Sequence, residues 1–208
     1  SEERGGQLSD TKGNKFILEN MPEKKTQLPL EKKAKNYMLR QLLKNQGGRK
    51  VSSRAETTAM LSLAIQKYLN PHEDPRIYWA KEVTFDYATT HAVRVDYMRF
   101  KPVNNTVSGI EKGDFYCYEV KSSVEDFHSK NGHNFLGDYN YYVMPEEVYA
   151  AISHEIPYYV GVFVPGNKNY RGDWYDLKSV KKAKRIDRER PVSEMLLMMF
   201  RSAARDRY

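Results

Sequence analysis

Residues 114–123, DFYCYEVKSS, limit the fold of this chain more than any other stretch. The run from Phe115 to Lys121 is aromatic and β-branched. A turn signal, Lys112-Gly113-Asp114, precedes it and a serine pair follows, so it reads as a core β-strand. Strand side chains alternate with period two, which puts Glu119 and Lys121 on the same side. A charge buried alone is costly, and a buried pair is often no more stable than apolar residues of similar volume. Such a strand either lies at an edge, where Glu119 and Lys121 form a surface pair, or gathers charge in the core for a purpose.

The flanking patterns supply the architecture. Residues 1–29 are polar with scattered Gly and Pro and read as a disordered or partner-bound arm. LEKKAKNYMLRQLLKNQ (30–46) has helical apolar spacing and is stopped by Gly47-Gly48. A second helix is expected over 51–70, capped by Ser52 or Ser53, with Glu56 completing a capping box and Pro71 ending it. Strands are expected over 76–87, 92–100 and 114–121, with 101–113 as a hairpin-type loop. A short helix and a Gly-broken loop follow. Then come a strand at 140–144, a helix opening at Pro145, a strand at 158–165, another strand and a basic loop within 173–190, and a final helix from Ser193. Helices interleaved with strands in this order predict an α/β domain with a mixed sheet, a single domain over 30–208.

Charge is unevenly spread. Residues 1–50 carry 12 Lys/Arg against 6 Asp/Glu, residues 51–177 carry 12 against 17, and residues 178–208 carry 10 against 4. Basic ends suit a polyanion or simply aid solubility, and an acidic middle suits a cation. The single cysteine, Cys117, allows no internal disulfide. No apolar run approaches the ~20 residues of a membrane span, so no membrane partner and a cytoplasmic location are expected.

Asp96 in AVRVDYMRF returns the argument to Glu119. Val93, Val95 and Tyr97 take the opposite face of that strand, and antiparallel pairing with 114–121 brings Asp96 and Glu119 together. Two adjacent carboxylates repel unless a proton or a cation lies between them. Mg²⁺ (or Mn²⁺) accepts one or two carboxylates plus waters. A neighbouring Lys121 can then move a proton or stabilise negative charge.

Asp96, a gap of 22 residues, then Glu119-Val120-Lys121 resembles the PD-(D/E)XK nuclease superfamily, over roughly the region from the Ser53 helix to YYVGVFVP. Val95 stands where the superfamily's name has proline. The resemblance implies a restriction-endonuclease-like core: a helix, a three-stranded meander, a helix and a further strand. It implies Asp96, Glu119 and the Val120 carbonyl as metal ligands, Lys121 as the catalytic lysine, and a further Glu from the first core helix, matched in position by Glu56. It points to small stand-alone domains of bacterial and phage genomes, several of them described as repair or restriction-like proteins. DNA is the expected substrate, with RNA an alternative.

Other residues have two readings each. Glu56 is a ligand or the far half of the capping box, and Glu82 faces the site or solvent. Lys130 and His133 in the loop after the strand contact phosphate or serve loop polarity. His128 and His133 lack the further ligands a zinc site needs. Lys181, Lys182, Lys184, Arg185 and Arg188, within the densest basic run, form a phosphate-backbone patch or a solvated loop. Tyr139, Tyr141, Tyr142, Tyr158 and Tyr159 stack on bases or pack the core. The stripe Met195, Leu196, Met198 and Met199 is core or a contact face for a second copy. Two rivals to a nuclease are a non-catalytic nucleic-acid-binding module and an assembly protein using the N-terminal arm and the final helix as contacts.

Overall fold

Helix α1 (Arg54–Leu69) turns one apolar stripe inward: Leu61, Ala64, Ile65 and Leu69 are buried at spacings of three and four. The computed structural model that shows this describes residues 54–205. The arm, the 30–46 helix and the Ser52/Ser53 cap lie outside the described residues. The chain divides into two compact units, Ser1–Lys50 and Val51–Tyr208, and all that follows concerns the second.

After α1 come β1 (Tyr78–Phe85), β2 (Val93–Lys101), α2 (Val107–Glu111), β3 (Asp114–Val120), α3 (Val124–Phe127) and β4 (Tyr139–Val143). The chain continues with α4 (Glu146–Ile152), β5 (Gly161–Lys168), β6 (Tyr175–Lys181) and α5 (Val192–Arg205). The strands form one six-stranded mixed sheet in the order β1-β2-β3-β4-β5-β6. β1, β2 and β3 are an antiparallel meander. β3, β4 and β5 are parallel, joined through α3 and α4, and β6 returns antiparallel. This is an α/β fold. Among the described residues no helix is long and apolar enough to cross a membrane.

α1 packs on one sheet face, where Leu61, Ile65 and Leu69 meet Tyr97, Tyr118, Val143 and Phe163. In a separate cluster, Met195 and Met199 of α5 pack with Phe85, Met98, Phe100 and Phe115, so the methionine stripe belongs to the core. Leu196 and Met198 are partly buried against it. α4 closes a third cluster around Tyr142, Met144 and Val162.

Two elements depart from the expected pattern. The loop 101–113 contains α2, because Thr106 caps it by accepting the Gly109 N–H at 3.1 Å while Asn104 accepts the Thr106 N–H at 3.0 Å. β5 starts three residues later than expected. Pro157–Val160 is a turn, with the Val160 N–H donating to the Pro157 carbonyl at 3.0 Å, and the strand runs on through Pro165, next to a register shift that accommodates the missing N–H.

The basic run after β6 serves the fold. Asp138, wholly buried, accepts from the Phe115 N–H at 2.8 Å, from Arg188 at 2.7 Å and from Arg185 at 3.2 Å. Arg185 also reaches Asp114 at 3.2 Å, Arg190 pairs with Asp86 and Glu194, and Lys181 Nζ donates to the Pro157 carbonyl at 2.7 Å. Arg185, Arg188 and Arg190 are thereby neutralised within the protein and Lys181 is tied down, so among the described residues Lys182 and Lys184 are the members of the expected phosphate patch left exposed without such a bond. Removing one partner of a buried ion pair leaves the others desolvated and unpaired. Asp138→Ala is therefore expected to lower unfolding stability by about 3 kcal/mol, read by urea denaturation. A loss below 1 kcal/mol would contradict the anchoring role.

Candidate functional site

The β2–β3 ladder pairs Tyr97 with Tyr118, so the next step sets Asp96 opposite Glu119. Backbone pairing stops there. The Val120 N–H donates instead to the Asp96 carboxylate, at 2.9 Å. A side chain takes over from the ladder, and the strands part beyond it into a cleft of about 770 Å³.

Asp96, Glu119, Val120 and Lys121 all line this cleft, and Glu82 joins them. On β1 the pairs Lys81↔Tyr97 and Val83↔Val95 flank Glu82, which puts Glu82 across from Asp96. Its φ of 50° lies in the left-handed region that side-chain-bearing residues avoid, at a cost of about 1–2 kcal/mol. α5 holds the distortion from outside: Ser202 Oγ donates to the Lys81 and Glu82 carbonyls, and Arg205 donates to the Glu82 carbonyl at 3.0 Å.

Glu119 is 4 % exposed. Burial first, and the Asp96 charge second, push its carboxyl up to about 9. It therefore keeps its proton at neutral pH and hydrogen-bonds the Asp96 carboxylate. Burial also raises Asp96, opposed by the Val120 N–H and the Arg94 charge. Glu119 Oε1 is buried with no hydrogen-bond partner. Buried Lys121 sends Nζ to the Asn131 carbonyl at 2.5 Å and the Asp126 carbonyl at 3.3 Å. Burial lowers its pKa against the opposing pull of Asp126 and Glu119.

The loop after α3 forms the cleft wall at Lys121. Gly132, at φ 71°, lies so close that a Cβ there would sit 3.0 Å from both Glu119 Oε2 and Lys121 Nζ. His133 shapes this loop. Its Nε2 donates to the Phe127 and Ser129 carbonyls at 2.8 and 3.1 Å, which leaves Nδ1 to accept from the Tyr142 hydroxyl at 2.6 Å. Both nitrogens are engaged, so His133 does not offer itself to a phosphate; this corrects the sequence expectation. Lys130 is exposed and lines the cleft.

Glu56 is exposed in the first turn of α1, outside the lining set. The other residues of α1 that reach the cleft are Arg54, Thr58 and Ser62. Residues 181–190 contribute nothing to the lining, so the basic run is not the cleft's phosphate patch. The cations that line the cleft besides Lys121 are Arg54, Arg94 and Lys130.

Sequence reading missed Asp126. Its carboxylate accepts from Ser122 N–H at 2.9 Å and from Arg54 at 2.7 Å, and its carbonyl accepts from Lys121. The signal was present: Ser123 and Asp126 stand in capping-box spacing, and Ser123 Oγ caps α3 by accepting the Asp126 N–H. Arg54 and Arg94 carry no local signal.

The donor set fits a divalent cation. Two adjacent carboxyl groups share one proton, one carboxyl oxygen is orphaned, and Val120 lines the same cleft. Among the described residues no group of three or more His, Cys, Asp or Glu side chains is arranged to hold a metal ion. A divalent cation here would rest on two carboxyl groups and need other oxygens to complete its shell.

No family model matches the sequence, and no curated protein matches it. Among solved structures the chain is similar to the SPO1766 protein of unknown function from Silicibacter pomeroyi, at 19% identity and a TM-score of 0.48. The match covers 73% of this chain and 88% of that one.

A carboxyl raised to about 9 from an ordinary 4.5 binds more protons folded than unfolded between those values. The protein then loses up to about 1.4 kcal/mol of stability for each pH unit gained in that window. Thermal melts in chelator across pH 5–9 should show this decline, and Glu119→Gln should flatten it. A wild-type profile that rises with pH across the window would refute the protonated pair.

Proposed function

We propose that this chain is a metal-dependent nuclease of the PD-(D/E)XK type, hydrolysing phosphodiester bonds in DNA. The observation that carries the reading is the meeting of Asp96 and Glu119 beside Lys121, with Glu119 Oε1 left without a partner. The order helix, antiparallel meander, helix, parallel strand (α1 through β4) is the one expected of a restriction-endonuclease-like core.

Asp96, Glu119 and the Val120 carbonyl would hold Mg²⁺ or Mn²⁺. A cation bound there supplies Lewis-acid polarisation of the phosphodiester and compensates its charge. The chain does the rest. Asp96 is fixed by the Val120 N–H and keeps one oxygen for the ligand. Glu119 would hold such a cation as a carboxylate, having released the proton it shares with Asp96. Lys121, aimed by the Asn131 and Asp126 carbonyls, presents a positive charge and a mobile proton, its lowered pKa bringing it nearer the range of acid–base exchange. Arg94 and Lys130 hold flanking phosphates, and Arg54 is tied to Asp126 at 2.7 Å.

Purified protein is expected to cut DNA only with Mg²⁺ or Mn²⁺, and Asp96→Asn and Lys121→Ala each to lower the rate about a thousandfold. Calorimetry in buffers of different ionisation enthalpy should show about one proton released per cation bound. No cleavage of DNA or RNA in either metal would end the nuclease reading. Nucleic-acid binding without cation uptake would favour a non-catalytic binding module.

A further inference from the structure

A second cleft opens on the sheet face that α1 covers. It has a volume of about 180 Å³ and is lined by Tyr68, Arg99, Lys101, Tyr116, Tyr118 and Tyr141. The rings are ordered. Parallel pairing of β3 with β4 sets Tyr116 beside Tyr139, with centroids 4.8 Å apart and planes 10° apart. Tyr118 lies beside Tyr141 at 5.4 Å and 16°. Tyr118 is 2 % exposed and forms the floor, whereas Tyr68 is 41 % exposed at the rim. Tyr68 packs one side on Phe163, with ring centroids 4.8 Å apart, and leaves the rest of its ring to solvent.

The charges are unusual for this chain. Arg185, Arg188 and Arg190 are bonded to carboxylates. Arg99 and Lys101 form no ion pair or side-chain hydrogen bond among the described residues. The Arg99 charge acts instead on the phenols of Tyr68, Tyr116 and Tyr118. Flat aromatic surface beside unpaired cations suits a nucleobase and its phosphate. A duplex keeps its base faces stacked inside, so only an unpaired strand offers one.

The two clefts are lined by the same strands, β2 and β3, with the tyrosine cleft on the face of Tyr97 and Tyr118 and the Asp96 and Glu119 side chains on the other. Tyr97 lines the carboxylate cleft, and Arg99 and Lys101 follow on the same face at steps of two residues. Asp96 and Arg99 are three residues apart, about 10 Å along the strand, and project from opposite faces; Tyr97, on the Arg99 face, is the residue that also lines the carboxylate cleft.

We propose that the tyrosine cleft is a subsite for single-stranded nucleic acid, stacking one base on its rings and holding the adjoining phosphate with Arg99 and Lys101. This rests on the nuclease reading of the carboxylate cleft and specifies its substrate as unpaired, or as carrying an unpaired tail.

The test is fluorescence anisotropy of the full-length chain in chelator, where no cation-dependent cleavage occurs. The probes are labelled oligo(dT), oligo(U) and a duplex of the same length, with thymidine monophosphate as competitor. Single strands should bind more tightly than the duplex. Arg99→Ala and Tyr116→Leu should each weaken single-strand binding about tenfold and leave duplex binding little changed. Arg99→Ala should make the slope of log affinity against log salt shallower by about 0.7, a change that a packing role would not produce. Lys101→Ala, at an exposed position, repeats the test without risk to folding and should act in the same direction. Unchanged affinity in the Arg99 and Lys101 variants, or a mononucleotide that binds as tightly as the oligomer, overturns the subsite. Cleavage that needs Asp96 but is indifferent to Arg99 and Tyr116 keeps the nuclease and removes the subsite. Arg99-dependent single-strand binding without cleavage keeps the subsite and removes the nuclease.

Discussion

One hydrogen bond organises the centre of this protein. At the end of β3 the Val120 N–H turns from a backbone acceptor to the Asp96 carboxylate. That exchange ends the ladder, fixes Asp96 and frees the strands to part. It also holds Asp96 beside Glu119, and the desolvation of the pair keeps a proton between them. A backbone donor, a carboxylate and a carboxyl thus form one unit. Lys121 is held to the loop wall by two carbonyls, so the amine and the acids are positioned by different elements.

Charge is used differently in different parts of the molecule. In the segment after β6 arginines are consumed by Asp138, Asp114, Asp86 and Glu194, so a run that looks like a polyanion surface is a strap across the fold. On the sheet face under α1, Arg99 and Lys101 lie among tyrosine rings, and among the described residues neither forms an ion pair. Sequence density of Lys and Arg therefore does not locate the surface charge. What matters is which cations lack partners after folding.

Much of the candidate site was legible before any coordinates. Period two put Glu119 and Lys121 on one side of a strand, and antiparallel pairing brought in Asp96; both hold. The element order was legible because each strand is bounded by turn residues. Three things were not. α2 is a five-residue helix that depends on the Asn104 and Thr106 side chains bonding locally. His133 read as a phosphate contact or as loop polarity, yet its nitrogens are engaged by Tyr142, Phe127 and Ser129, contacts that depend on how the loop folds back. Arg54 and Arg94 reach the cleft through long-range packing that no local pattern encodes.

The bonds from Ser202 and Arg205 to the carbonyls of Lys81 and Glu82 link the last helix to the first strand. The Glu82 backbone holds an unfavourable twist, and those donors are what it leans on. A chain ending before Ser202 would let β1 relax toward a regular ribbon and swing Glu82 away from the acids opposite it. The last turn of α5 thus governs the geometry of the β1–β2 hairpin, although more than a hundred residues of chain separate the two.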